Sequence, residues 1–176
     1  SYVFYGGALS ILNEQTQRSE LTFTAVSPAT ELEKRIGHNR ILFIHTPREL
    51  RGSLKTNSHE AKMVGDVIES IIRLSGSNIN VEEEIGVITP FRNQRGAIRQ
   101  ELLKRELPGA EGILIDTVES FQGSEKEHII ISFSVNDPVQ LQMIMEWDAE
   151  RRVDRKLNVA LTRAKKQLIM VGNCAV

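Results

Sequence analysis

The chain has 176 residues, of which 40% are hydrophobic and 26% are charged, and its formal net charge is −1. These values are typical of a single soluble globular domain, and they exclude a protein that coats nucleic acid by net charge alone. No apolar run approaches the roughly 20 residues that cross a bilayer, so we expect no membrane segment.

Cys174 is the only cysteine. The chain therefore forms no internal disulfide, and we expect a reducing location, cytoplasmic or, in a eukaryote, nuclear. A metal centre is not expected, because the four histidines lack cysteine or carboxylate partners at ligand spacing: His38, His45, His59 and His128.

The N-terminal part, residues 1–37, is a less regular lead-in, in which residues 21–26 alternate as a short strand would. From there the pattern becomes regular, and an apolar run predicts a buried strand over 41–44. Asn57 and Glu60 have the spacing of a capping box at the start of a helix. The apolar residues that follow fall on one helical face: Ala61, Val64, Ile68, Ile71 and Ile72.

The remaining predicted elements follow in chain order: a strand over 85–89, a helix over 93–107, strands over 113–115 and 128–133, an irregular stretch over 138–152, a closing helix over 157–166 and a final strand over 167–173. The strands are apolar on both faces and alternate with helices. This alternation predicts one α/β domain with a mostly parallel sheet flanked by helices.

The closing helix carries an apolar stripe with an arginine beside it. On a helix of 3.6 residues per turn, four residues share the stripe: Leu157, Ala160, Leu161 and Ala164. Arg163 lies at the shoulder of this stripe, which suits a cation at the rim of a cleft. An ordinary amphipathic helix with a solvated arginine has the same pattern, and by periodicity alone it is the simpler explanation.

Polar, turn-forming residues follow two of the predicted strands. In open α/β sheets, ligands collect beyond the carboxyl ends of strands. Thr89 and Thr117 each place a short hydroxyl at such an end, where it suits phosphate or sugar oxygens. Gln122 and Gly123 add an amide and a position that a phosphate can approach closely. Taken singly, each of these residues is more often a turn residue than a ligand.

No nucleotide-hydrolysing motif is complete in the chain. The run over 113–115 ends in Asp116, as does the strand that holds Mg²⁺ in P-loop enzymes, but many buried strands end in this way. No G-x-x-x-x-G-K-[ST] sequence occurs, and neither does a G-x-S-x-G elbow. We therefore expect the chain alone to hydrolyse nothing.

Three segments occur in the order and spacing of known motifs: IGVITPFRNQ over 85–94, DTVESFQGSE over 116–125 and DRKLNVALTRAKKQLIMVGN over 154–173. They resemble motifs IV, V and VI of superfamily 1 helicases. The resemblance is strongest to the branch that contains RNA-surveillance and DNA-replication helicases and moves 5′ to 3′. FYGGAL over 4–9 and NSHEA over 57–61 fit the same branch, so the resemblance covers nearly the whole chain.

The resemblance implies a RecA-like fold of the P-loop-NTPase type, with residues 1–176 forming the second, C-terminal motor domain. Such helicases hold ATP between two RecA-like domains and single-stranded DNA or RNA across both. ATP and Mg²⁺ would be held mainly by a separate N-terminal RecA-like domain, because the Walker A and Walker B motifs are absent here. The implied protein is an ATP-dependent helicase or translocase that works as a monomer, and the choice between DNA and RNA stays open.

The resemblance also implies roles for individual residues. Arg163 would be the arginine finger, whose guanidinium stabilises charge on the γ-phosphate in the transition state. Gly123 and Glu125 would lie near the nucleotide, with Glu125 against the ribose or coupled to Arg163. Lys156 stands in place of the second arginine of the usual pair and would also face ATP. The nucleic-acid side would be lined by Thr89, Pro90, Arg92, Thr117 and Gln122.

Besides Lys156, the chain departs from the family pattern at two other places. Some members carry a second γ-phosphate-binding arginine directly after the asparagine of the NxxEA segment, whereas this chain has Ser58. Arg92 or Arg95 would compensate, or the enzyme would rely more heavily on its arginine finger. Residues 136–152 lack the expected short glycine-containing loop, which suggests a different strand contact or a partner surface around Trp147.

Two other interpretations compete with a motor domain. The first is a degenerate RecA-like module that binds nucleic acid or protein without catalysis, although the retained Arg163, Gln122 and Glu125 argue against it. The second is an unrelated receiver-like or flavodoxin-like domain, which fits the predicted elements but leaves the motifs unexplained.

Overall fold

The computed structural model describes residues 21, 23, 25–49, 55–121, 123–144, 147–148 and 153–175. Its helices are α1 (Glu31–His38), α2 (Ser58–Ser75), α3 (Val81–Glu84), α4 (Arg92–Arg105), α5 (Pro138–Ile144) and α6 (Arg155–Leu161). Its strands are β1 (Ile41–His45), β2 (Ile85–Ile88), β3 (Leu114–Asp116), β4 (Lys126–Ser132), β5 (Trp147–Asp148), β6 (Val153–Asp154) and β7 (Ala164–Gly172). None of the helices in this part of the chain is both long and apolar enough to span a membrane.

Five strands form one parallel sheet in the order β1-β7-β4-β2-β3, and β5 and β6 form a separate antiparallel pair. Because the five strands run in one direction, their carboxyl ends lie along one edge, named here the C-terminal edge. Their amino ends lie along the opposite, N-terminal edge. The predicted α/β fold with a mostly parallel sheet flanked by helices is confirmed.

Alternate side chains of the strands enter two hydrophobic clusters on opposite faces of the sheet. On one face, Ile130 and Ile169 pack with apolar residues of α1, α2 and α4. On the other face, Ile129 packs with Phe121 and with Ala160 of α6. Both faces of the inner strands are therefore covered, as a parallel sheet requires.

Strand β1 is buried on one face only. Ile41 is 68% exposed and Phe43 is 39% exposed, whereas Leu42 and Ile44 belong to the core. Among the described residues β1 pairs with β7 alone, so it is an edge strand of the sheet. The strand predicted over 41–44 is therefore present, but it is buried on one face only.

Helix α2 begins differently from the predicted capping box. The Asn57 side chain accepts a hydrogen bond from Glu60 N at 3.0 Å, as the box requires. The Glu60 side chain does not return the bond, because its carboxyl group binds the end of β4. Asn57 N donates instead to Gln94 Oε1 at 2.8 Å. A long-range contact therefore replaces the second half of the box.

The closing helix is shorter than predicted. Helix α6 ends at Leu161, and β7 begins at Ala164, which pairs with Lys126 at the start of β4. Arg163 therefore lies in a turn and not on the shoulder of a helix. Within the helix, Ala160 is the buried member of the predicted stripe. Pairing with β4 thus overrides the helical periodicity of this segment.

The stretch over 138–152 is not irregular throughout, because it contains α5 and strand β5. Its remaining residues, 145–146 and 149–152, lie outside the described residues. The described positions within the predicted strand over 21–26 are not in a strand, and the lead-in over 1–20 lies outside the described residues.

Arg105 holds helix α4 against helix α2. Its guanidinium donates hydrogen bonds to Asp66 at 2.7 Å, to Glu69 at 2.8 Å and to Glu101 at 3.0 Å. Gly65 of α2 lies directly beneath it, because a Cβ at this position would be 2.5 Å from Arg105 Nε. A side chain at position 65 would therefore displace the Arg105 guanidinium from this position.

We predict opposite effects for two Gly→Ala substitutions in helices. Gly65→Ala should lower the free energy of unfolding by about 1–2 kcal/mol, because the new methyl group displaces the Arg105 guanidinium from its carboxylates. Gly96→Ala should raise it by about 0.5–1 kcal/mol, because no atom lies within 4 Å of a Cβ there and alanine favours the helix. Urea unfolding measures both changes, and two increases would contradict the close contact at Gly65.

Candidate nucleotide and nucleic-acid site

Four of the five residues predicted to line the nucleic-acid side lie at the C-terminal edge of the sheet. Thr89 follows β2 and Thr117 follows β3, and Thr89 N donates to the carbonyl oxygen of Asp116 at 3.0 Å. The Thr89 side chain is 1% exposed, and its hydroxyl lies 3.4 Å from Ser134 Oγ in the segment after β4. Thr117 is half-buried. The buried Thr89 side chain therefore packs beneath this edge of the sheet, against the segment after β4.

The outer part of this edge is the turn that leads into α4. Pro90 is half-buried, and Arg92 is exposed at the first residue of the helix. The Arg92 side chain makes no hydrogen bond or ion pair with any described residue. Arg95 forms an ion pair with Asp116 at 3.0 Å. Of the two arginines suggested as substitutes for the one missing at Ser58, Arg95 therefore already has a carboxylate partner.

A buried polar network, which no local sequence pattern indicates as a unit, joins the strand ends of this edge. Gln94 is fully buried and brackets the backbone of Asn57. Its Oε1 accepts from Asn57 N at 2.8 Å, and its Nε2 donates to Asn57 O at 3.1 Å. Nε2 also donates to Ser132 Oγ at 3.0 Å. One amide thus joins the starts of α2 and α4 to the end of β4.

Asn136 extends the network to the loop after β1. Its Oδ1 accepts from Asn57 Nδ2 at 3.0 Å and from Glu49 N at 2.9 Å. Glu49 Oε2 in turn accepts from the N and Oγ of Ser58. A sequence signal for these residues exists, since Ser132 and Asn136 are polar and closely follow an apolar run. Their partners lie between 38 and 87 positions away, which no local pattern reveals.

Glu60 is the buried acid of this network. Its Oε2 accepts from Ser132 Oγ and from Ser134 N, each at 2.8 Å. Burial raises the pKa of Glu60 from 4.5 to about 7, against the lowering effect of these two hydrogen bonds. Its Oε1 has no hydrogen-bond partner among the described residues. The carboxyl group therefore changes its charge near neutral pH.

Three of the four residues predicted to face ATP lie at the opposite, N-terminal edge. Arg163 directly precedes β7, and Gly123 and Glu125 precede β4. Lys126 N donates to the carbonyl oxygen of Arg163 at 3.0 Å, which joins the two turns. Glu125 is exposed and lies next to Lys126 in the chain. The structure therefore brings these three predicted residues together and separates them from the nucleic-acid group.

The Arg163 side chain is half-buried and held in place by its own turn. Its Nε donates to the carbonyl oxygen of Val159 at 3.2 Å, and its Nη2 donates to Thr162 Oγ1 at 3.1 Å. Its Nη1 has no partner among the described residues. Two of the three guanidinium nitrogens thus fix the orientation of the group within its own turn.

Helix α6 is linked to the segment between β3 and β4. Lys156 forms an ion pair with Glu119 at 3.1 Å. A hydrogen bond from Thr117, and then Lys156, hold the pKa of Glu119 below its ordinary value. Gly123 has a φ of 83°, a left-handed conformation that favours glycine, and it is exposed. Gln122, predicted on the nucleic-acid side, lies outside the described residues.

The described residues do not form a metal centre. No group of three or more His, Cys, Asp or Glu side chains among them could hold a metal ion. Asp116, the acid compared above with a Mg²⁺ ligand, is paired with Arg95 and accepts from Thr117 N at 2.8 Å. The Asp116 carboxylate is therefore engaged by partners within the fold.

Residues 1–175 match the family described as AAA domain. The chain is 36% identical to DNA polymerase alpha-associated DNA helicase A of Saccharomyces cerevisiae, over 69% of the chain and 16% of the relative. It is 32% identical to DNA replication ATP-dependent helicase/nuclease DNA2 of Mus musculus, over 77% of the chain and 12% of the relative. It is 33% identical to Regulator of nonsense transcripts 1 of Dictyostelium discoideum, over 71% of the chain and 9% of the relative. The chain therefore belongs to the AAA domain family and, within it, to the superfamily 1 helicases.

The resemblance drawn from the three motifs is confirmed, together with the RecA-like fold that it implied. The chain spans between 9% and 16% of the length of these three relatives. The activity of each relative is therefore the property of a much longer protein.

We predict that Glu60 makes the stability of the chain fall as pH rises from about 4.5 to about 7. Between these values the folded state binds the Glu60 proton more tightly than the unfolded state. The favourable contribution is therefore complete below about pH 4.5 and is lost as pH rises through about 7, with a total of about 3 kcal/mol. Glu60→Gln removes this dependence, and urea unfolding at several pH values compares the two proteins.

Glu33→Gln is the matched control for this prediction. Hydrogen bonding to Arg73 holds the pKa of Glu33 down to about 2, so its contribution is present above about pH 4.5 and is lost below it. The difference from the unsubstituted protein should be flat between about pH 5 and 8 for Glu33→Gln and should slope for Glu60→Gln. Parallel curves for all three proteins would contradict the assignment to Glu60.

Proposed function

We propose that the chain, residues 1–176, is the C-terminal motor domain of an ATP-dependent helicase or translocase, with residues 1–37 as its lead-in. It would act as one half of a monomeric motor whose N-terminal RecA-like domain carries the P-loop and the Mg²⁺ ligands. The observation that supports this most strongly is Arg163, a tethered guanidinium with one free nitrogen in a chain that has no P-loop.

Arg163 would act as the arginine finger toward the γ-phosphate of ATP held by the N-terminal domain. Its bonds to Val159 and Thr162 orient the group before the ligand arrives, so little side-chain entropy is lost on binding. A pre-oriented cation stabilises the charge that develops during phosphoryl transfer. Gly123 and Glu125 lie in the turn bonded to Arg163 and would approach the nucleotide, while Lys156 would stand behind them on α6.

The C-terminal edge would carry the nucleic-acid track. Arg92 is exposed, and Phe91, the N-cap residue of α4, provides no side-chain cap. The uncapped N–H groups of this helix and the Arg92 guanidinium both suit a phosphate of the strand. Pro90 and Thr117 would contact the sugar-phosphate backbone at this edge, and Thr89 would hold the turn. Gln122 would be a further contact to the nucleic acid. Contacts of this kind tolerate any sequence, as a translocase on DNA or RNA requires.

Arg163→Ala tests the nucleotide half of the proposal in a protein that joins this chain to its P-loop domain. We expect nucleic-acid-stimulated ATP turnover to fall by at least about 10³-fold, as for arginine fingers of GTPases, with ATP affinity nearly unchanged. Lys165→Ala removes a neighbouring exposed cation and should change neither quantity. Steady-state turnover and equilibrium nucleotide binding separate the two effects, and equal losses of both would indicate a structural role.

The same joined protein tests where ATP hydrolysis resides. Without its P-loop domain, the chain should show no turnover at any nucleic-acid concentration, because the described residues hold no metal centre and the sequence has no P-loop. ATP turnover by the chain alone would contradict the proposal that hydrolysis requires the P-loop of the N-terminal domain. Tight nucleic-acid binding without turnover in the joined protein would favour the non-catalytic module instead.

Arg92→Ala tests the nucleic-acid half. We expect weaker binding of a single-stranded oligonucleotide and a salt dependence that is shallower by about 0.7 in log–log slope, which corresponds to one lost phosphate contact. Lys104→Ala removes a cation near the far end of the same helix and should leave the slope unchanged. Fluorescence anisotropy from about 50 to 200 mM salt measures both variants. Identical slopes for the two variants would place the track elsewhere.

A further inference from the structure

Ser134 has an unusual backbone conformation for a residue with a side chain. Its φ is 48°, in the left-handed region, and it is fully buried in the segment after β4. Residues other than glycine enter this region at an energetic cost, so the surrounding structure has to hold them there. The N–H of Ser134 donates a hydrogen bond to Glu60 Oε2 at 2.8 Å.

Among the described residues, the carboxyl group of Glu60 forms hydrogen bonds only with the segment at and after the end of β4. It is fully buried, and its described hydrogen bonds go to two donors after or at the end of β4, Ser134 N and Ser132 Oγ. Burying a carboxyl group is unfavourable, and an apolar side chain would fill the same space at less cost. Its presence is explained if these two donors have to be held at fixed positions.

The conformation of Ser134 affects the C-terminal edge directly. Its hydroxyl lies 3.4 Å from Thr89 Oγ1, at the start of the turn that carries Pro90 and Arg92. Two residues further along, Asn136 binds Asn57 Nδ2. The Ser134 turn therefore lies between the two segments that shape this edge.

We propose that Glu60 is a positioning residue for nucleic-acid binding: it holds Ser134 in the left-handed conformation and so sets the turn from Thr89 to Arg92. This proposal rests on the proposed function of the C-terminal edge. Glu60 itself touches no ligand, because its side chain is fully buried. Its effect passes through the backbone of Ser134 and the contact with Thr89.

A double-substitution experiment separates positioning from general stabilisation. Glu60→Ala removes the acceptor of the Ser134 N–H, and Ser134→Gly supplies a residue that adopts positive φ without help. We expect Glu60→Ala to weaken binding of a labelled single-stranded oligonucleotide by the full-length protein about tenfold, or about 1.4 kcal/mol. In the Ser134→Gly background, the same substitution should weaken it less than about threefold.

Two controls complete the binding measurements. Glu60→Gln keeps an oxygen acceptor for Ser134 N and should bind within about twofold of the unsubstituted protein. Glu33→Ala removes another buried carboxylate, from the contact between α1 and α2, and should destabilise the fold without changing affinity. Equal losses from Glu60→Ala in both backgrounds, or an equal loss from Glu33→Ala, would overturn the positioning role.

Hydrogen exchange in peptides that cover residues 132–136 tests the same role without a ligand. Exchange there should accelerate in Glu60→Ala, stay slow in Glu60→Gln and stay slow in Glu33→Ala. Unchanged exchange in Glu60→Ala would show that Glu60 does not hold the turn. If the unsubstituted protein bound neither DNA nor RNA oligonucleotides, the proposed track would fail, and accelerated exchange would still assign the turn to Glu60.

Discussion

The hydrogen bonds between Gln94 and the backbone of Asn57 are the contact on which the C-terminal edge of the sheet depends. They fix the start of α2 against the start of α4, and the third bond of the same amide fixes both to Ser132 at the end of β4. All three residues are fully buried, so each of these bonds forms away from competing water. Loss of one partner would leave the others unpaired in the interior, which makes the network cooperative.

The network fixes the N-terminus of α2, and this explains the position of Glu60. The helix begins at Ser58, two residues before Glu60, and its cap residue Asn57 is held by Gln94 and Asn136. With the helix start immobile, the Glu60 carboxyl group arrives at one position relative to β4. A buried acid can therefore serve as a fixed acceptor for Ser134, even though an unanchored acid at the same depth would be unfavourable.

Most of the strands could be predicted from the sequence, because buried parallel strands are short apolar runs. The order of the strands could not, since it depends on contacts between distant segments. Periodicity also failed at the end of α6, where Ala164 fits a helical stripe but pairs with Lys126 in the sheet. At the candidate site, polar residues after strands were found at Thr89 and Thr117. Gln94 and Glu60 were not, because their partners are far away in the chain and side-chain polarity alone does not indicate burial.

The two groups of candidate residues lie at opposite edges of one sheet, and the segment between β3 and β4 runs from one to the other. It starts at Thr117, passes through Phe121, which is fully buried against the sheet, and ends at the turn bonded to Arg163. The ion pair between Lys156 and Glu119 attaches its middle to α6. A motor domain has to relate the state of its nucleotide to its grip on the strand, and such a relation requires packed elements that move together. In the proposed motor domain this short segment and α6 would meet that requirement, because Phe121 and Ala160 of α6 pack in the same hydrophobic cluster.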